Sequence, residues 1–384
     1  MKQPNLWPPR GRFASPSLAF LIAAVLTAAA LFASCSQSPL FFDISKEVAP
    51  KDPIIPGSPS KMVLFTVTNR LYIANGNIWS YDGASWTRAA QPSGTVRDLA
   101  ATTGIGTTFL YALTVDGTSS TTTHLWKTTD GTTWAEVTKY SGYDFIDSIY
   151  GSKDTLFVGA HPTGSTATYG IFSDTSGNLT SVKTGLGSGG ALVGAVYYNT
   201  DSNYYVATAS LGIFCGTTVG ALTTATAISG TTPSNYSLNG LIALTGQIVA
   251  VGRHNSNGGY LIAGDSTNFA PYISGNSYKF DGALALATYG ANQLLLLGGS
   301  SGIYSNGYME IVLSSGTVGS APSLQSPGNG SPTTVTDNAK YAASLGKKLV
   351  NQLFQSPLID GTLFASTNLY GLWAYRNNEW NAQD

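Results

Sequence analysis

An apolar pair recurs along most of the chain at nearly constant spacing, and this constrains the fold more than any other feature. The pair occurs as Ile78-Trp79, Leu125-Trp126, Ile171-Phe172, Ile213-Phe214, Leu261-Ile262, Ile303-Tyr304 and Leu372-Trp373. Successive second members lie 47, 46, 42, 48, 42 and 69 residues apart. A β-type run shortly precedes each pair, among them Leu71-Tyr72-Ile73, Leu156-Phe157-Val158 and Ile248-Val249-Ala250-Val251. Another apolar stretch precedes most of these runs, as in Ala191-Leu192-Val193-Gly194-Ala195-Val196. Each unit thus supplies three strands and a weaker fourth.

A four-stranded sheet repeated at this spacing cannot bury both of its apolar faces alone, but a closed ring of such sheets can. The repeat therefore predicts an all-β chain, a seven-bladed β-propeller of four-stranded blades spanning residues 61–384. A β-solenoid would show shorter repeats. Composition agrees: charged residues make up only 10% of the chain, while Gly (44) and Tyr (21) are abundant. Long amphipathic helices need far more Glu, Lys and Ala.

The N-terminus reads as an address. Residues 1–17 carry Lys2, Arg10 and Arg12 without an acid, and Leu18 to Phe32 is an apolar run interrupted only by Thr27. That run is short of the ~20 residues a membrane-spanning helix needs and suits a signal segment. It ends in Leu31-Phe32-Ala33-Ser34-Cys35. This resembles the lipobox of bacterial lipoproteins in a relaxed, spirochaete-like form, with Phe32 where Leu is usual. The resemblance implies a signal peptide over 1–34, acylation of Cys35, and anchorage in a bilayer of the bacterial cell envelope, the outer membrane favoured. Residues 36–60 contain five prolines and read as an extended tether, so that 35–60 forms the spacer. Cleavage leaves 16 basic residues against 20 acidic, which argues against nucleic acid as a partner. Cys215 then has no intramolecular partner and reads as a small buried hydrophobe.

Two units carry a sharper motif. Ser80-Tyr81-Asp82-Gly83-Ala84-Ser85-Trp86 and Thr128-Thr129-Asp130-Gly131-Thr132-Thr133-Trp134 share one form, 48 residues apart. They resemble the Asp-box, or BNR-type, hairpin of sialidase-like propellers, shortened by one residue. Asp82 and Asp130 would accept backbone N–H groups across the turn, Gly83 and Gly131 would take positive φ, and Trp86 and Trp134 would pack between sheets. Traces recur at Ser173-Asp174 with Gly177 and at Asp265 to Phe269. The resemblance implies a structural turn and raises a glycosidase or carbohydrate-binding alternative. Sialidases clamp a carboxylate with three arginines near the axis. Past the signal segment the chain has only Arg70, Arg88, Arg97, Arg253 and Arg376, and Arg88 and Arg376 lie beside outer turns.

No nucleophile motif, phosphate loop or paired-cysteine motif occurs, so no catalytic residue, cofactor or metal site is expected. His124, His161 and His254 read as solvated loop residues, and Asp116, Asp154 and Asp201 as turn residues. The irregular interval before the last unit reads as an insertion over 315–348. Its first half, Gly316 to Pro332, reads as a loop; Asp337 to Leu349 reads as a helix with a Tyr341/Leu345/Leu349 stripe. The expectation is a membrane-tethered, non-enzymatic scaffold binding another envelope or host protein, with tyrosine-rich loops around Tyr197, Tyr204 and Tyr236 as contact surface.

Overall fold

The computed structural model describes residues 54–103, 107–117, 121–224, 236–254, 259–273, 285–289, 294–298, 308–319, 324–325, 348–359, 361–376 and 379–383. The signal segment, Cys35, the Pro-rich stretch to residue 53, and the expected helix up to residue 347 lie outside these residues. The body from Asp52 onward is a single compact unit. It contains seven four-stranded antiparallel sheets, each a simple meander in chain order. The chain thus contains a seven-bladed β-propeller, and its described residues are all-β but for short 3-10 turns at Ser188–Gly190 and Val219–Ala221.

The second strands show why the chain folds this way. Arg70–Asn75, Leu110–Val115, Thr155–His161, Asn203–Thr208, Ile248–His254, Leu294–Gly298 and Leu363–Thr367 are nearly continuous apolar runs, because both faces are covered by neighbouring blades. Alternate residues serve opposite neighbours. Leu71 and Ile73 pack towards blade seven with Phe364 and Leu372, while Tyr72 and Ala74 pack towards blade two with Leu110 and Ala112. The same rule holds around the ring. Leu156 and Val158 meet blade two while Phe157 meets blade four, and Leu363 and Ala365 meet blade six while Phe364 meets blade one. Among the described residues the core is seven clusters, one per junction between blades.

Four of the fourth strands are short, as the weak fourth run implies: Trp86–Arg88, Ala135–Val137, Thr223–Thr224 and Leu324–Gln325 have two or three residues, whereas Asn178–Leu186 of blade three has nine. Leu324–Gln325 and the buried Val318 correct the reading of 316–332 as a plain loop, because both belong to blade six. The third strand of that blade is Tyr308–Val312, and the Ile303-Tyr304 pair lies outside the described residues. The last first strand is Val350–Gln355, so the chain is extended just where the helical stripe was expected to end.

The body also begins earlier than residue 61. Ile55 is fully buried in the cluster between blades one and seven. Ile54 N–H donates to the Gln383 carbonyl at 2.8 Å, and the Ile55 and Gly57 carbonyls accept from Leu372 and Gly371 at 3.1 and 2.8 Å. This segment closes the ring from the N-terminal side.

Candidate functional site at the propeller axis

First strands of adjacent blades pack on one another around the axis. In a meander all of them start on the same face, here called upper. Five share one irregularity. In blade two Val96 pairs with Thr114 and Asp98 with Leu113, so Arg97 is an extra residue in the ladder. The same skip leaves out Asp147 in blade three, Val193 in blade four, Asn239 in blade five and Asn351 in blade seven. Each follows a buried anchor: Val96, Ile146, Leu192, Leu238 or Val350. A bulge sets two residues against one, which breaks the strict alternation and re-aims a side chain. Four of the five bulged residues are polar, and they sit near the upper end of the axis.

A cavity of about 350 Å³ opens there among blades seven, one, two and three. Lys61, Arg97, Asp98, Asp147, Tyr150 and Gln352 are in its wall. The residues that follow the bulges stitch blades together. Asp98 Oδ2 lies 2.8 Å from Lys61 Nζ, which also donates to the Ile149 carbonyl at 2.5 Å. The same ammonium stands 3.7 Å from the centre of the Tyr150 ring. Ser148 Oγ donates to the Leu192 carbonyl at 2.9 Å, and the Gln352 carboxamide brackets Met62 N–H and C=O. Burial opposes the Lys61 charge, yet Asp98 and Tyr150 beside it hold its pKa above the ordinary value. Lys61 is therefore a structural cation joining blades one, two and three.

Asp147 faces His161, whose Nε2 lies 3.3 Å from Asp147 Oδ2. His161 is buried, stacked on Phe145 at 4.8 Å, and its Nδ1 donates to the Pro162 carbonyl at 2.7 Å. Burial pushes the Asp147 pKa up, opposed by His161 and Arg97. His161 is thus a core residue rather than a solvated loop histidine. His124 also departs from that reading. It lies in the third strand Thr123–Thr128, with Nδ1 2.6 Å from Glu136 and Nε2 3.2 Å from Asp116. Its two nitrogens face opposite carboxylates and do not converge on a metal. Hydrogen bonding to Glu136, together with Asp116, raises its pKa.

The lower end of the axis holds a second cavity of about 570 Å³ lined by Lys153, Tyr197, Asn199 and Ile242. The tyrosines near it are largely structural. Tyr198, Tyr204 and Tyr205 are buried, and Tyr204 and Tyr205 donate to Asp154 and Asp201. Tyr197 alone of these is half-buried, under the Lys153 ammonium at 4.0 Å. The side chain of Tyr236 lies outside the described residues.

The motif residues sit on the same lower face, at outer turns away from both cavities. Asp82 Oδ1 accepts from Ala84 and Ser85 N–H at 2.9 and 3.0 Å, and Asp130 Oδ1 from Thr132 and Thr133 N–H, both at 2.7 Å. Gly83 and Gly131 have φ of 102° and 75°. Trp86 is buried against Tyr81 and Phe364; Trp134 is half-exposed, its Nε1 3.3 Å from the Ala90 carbonyl. In blade three Asp174 accepts from Gly177 N–H and also from Lys127 and Tyr111 of blade two. Cys215 is a buried free thiol.

Sequence reading missed Lys61, Asp98, Asp147 and Asn351, took His161 for a solvated loop residue, and noticed Arg97 only in counting arginines. Of the other arginines, Arg70 lies near Asp82, Arg88 over Trp79, and Arg376 donates to Tyr81 Oη. Among the described residues, Arg97 is the one arginine in the upper cavity wall. No protein-family model matches the chain, and no curated protein matches it.

Proposed function

We propose that the chain is a lipid-anchored, non-enzymatic propeller of the bacterial envelope that binds a partner protein through its upper face. The observation that carries this reading is the open polar cavity framed by bulged first strands at the upper end of the axis. The Leu31-to-Cys35 segment supports the anchor, and among the described residues no helix is long and apolar enough to cross a membrane. Cys35→Ala should abolish palmitate labelling and leave an unprocessed precursor; continued labelling would end the lipoprotein reading. Crosslinking in intact cells through a photoreactive residue at Asn351 should capture a defined protein, and its absence would end the binding reading. The turn resemblance keeps a carbohydrate alternative, which hydrolysis of a chromogenic sialoside or a glycan-array signal would favour.

A further inference from the structure

The polar groups at the upper mouth divide into two sets. Residues after the bulges spend their hydrogen bonds within the body: Asp98 on Lys61, Ser148 on Leu192, Gln352 on Met62. Two of the bulged residues do not. Arg97 is exposed, its charge acting on Asp147 without a close ion pair, and no side-chain hydrogen bond joins it or Asn351 to a described residue. Asp147, by contrast, has its buried Oδ2 3.3 Å from His161 Nε2.

Charge can be counted across this mouth. Lys61 and Asp98 cancel. Asp147 is turned to His161 of its own blade. The exposed cation of the wall is Arg97, a planar fork suited to a carboxylate.

The cavity's aromatic ring favours one class of ligand. A saccharide would stack on Tyr150, but the Lys61 ammonium already covers that ring. A volume of about 350 Å³ admits a side chain or a chain end. We propose that Arg97 and the Asn351 carboxamide, from two sides of this cavity, receive a carboxylate presented by a partner polypeptide. This rests on the protein-binding reading above and gives it a chemistry.

The test uses the full chain in detergent and two fluorescent pentapeptides that differ only in a free or amidated C-terminus. The free carboxylate should bind, and amidation or Arg97→Ala should each weaken binding about tenfold or more, with Arg97→Lys in between. Arg97→Ala should leave the melting temperature unchanged, because the side chain is exposed. Equal binding of both peptides, or no effect of Arg97→Ala, would overturn the assignment. Binding of N-acetylneuraminic acid without binding of the free peptide would also overturn it, transferring the cavity to acidic sugars. Failure here is separable from failure of the protein-binding reading. A crosslinked partner captured equally by Arg97→Ala keeps that reading and removes this one, whereas peptide binding with no cellular partner does the reverse.

Discussion

Two tryptophans in the same motif have different surroundings, and the difference sets what each is worth. Trp86 is 7% exposed and meets Tyr81 at 4.9 Å and Phe364 of blade seven at 5.9 Å. Trp86→Ala should cost roughly 3–5 kcal/mol in a denaturant titration. Trp134 keeps only part of its ring in the junction between blades one and two, so Trp134→Ala should cost about 1 kcal/mol. Equal losses would mean that the two rings are equally buried. His124 provides a test by pH. Its folded pKa is raised, so its contacts stabilise fully below the unfolded value of 6.5 and fade as pH rises through the folded value. The melting gap between wild type and His124→Asn should therefore be widest near pH ~5 and shrink towards pH ~8. Exposure of Glu136 and Asp116 keeps that gap small. A gap that widens with pH would show that a group other than the imidazole carries it.

At the level of strands, the sequence made the blades legible because second strands are buried on both faces and write themselves as apolar runs. The axial site was less legible, although a signal was present. Val96-Arg97-Asp98-Leu99, Ile146-Asp147-Ser148-Ile149, Leu238-Asn239-Gly240-Leu241 and Val350-Asn351-Gln352-Leu353 each place two residues between apolar anchors, where strict alternation allows one. That spacing is the bulge, but a lone polar doublet in a strand is equally the mark of a frayed end. Its meaning appears only when four blades place it at the same height. The buried tyrosines misled in the opposite way, since Tyr next to Asn and Ser suggests a contact loop, whereas Tyr204 and Tyr205 pack inward and bind Asp154 and Asp201. Close approach of first strands also leaves a testable mark. A Cβ on Gly151 would stand 1.9 Å from the Ala101 carbonyl oxygen of blade two. Gly151→Ala should thus force blades two and three apart and destabilise by more than about 2 kcal/mol, read by chemical unfolding. A neutral result would show that the junction can slide.

Over the whole molecule, stability depends on closing the ring, because each junction buries the face of a sheet that has no other partner. Six of the seven junctions join blades consecutive in sequence. The seventh joins blade one to blade seven, and its strands come from the two ends of the body. Here Ile55 enters the apolar cluster with Leu71, Trp86, Phe364 and Leu372, while residues 54–57 hydrogen-bond to the outer half of blade seven. Ser58 Oγ adds a bond to Asn368 Oδ1 at 2.8 Å and accepts from Leu369 N–H at 3.0 Å. The segment expected to be the last part of a passive tether therefore secures the closing junction. A chain starting at residue 53 should melt like the full body. Removing residues 54–58 as well should lower stability by about 3–5 kcal/mol, from one fully buried isoleucine and several backbone hydrogen bonds. The loss should be local at first, with hydrogen exchange accelerating in Leu363–Thr367 and Leu372–Arg376 of blade seven before blades two to five. Uniform acceleration in every blade would mean that the ring opens as one cooperative unit, and unchanged exchange would mean that the Met62–Gln352 contact and the remaining cluster close it unaided.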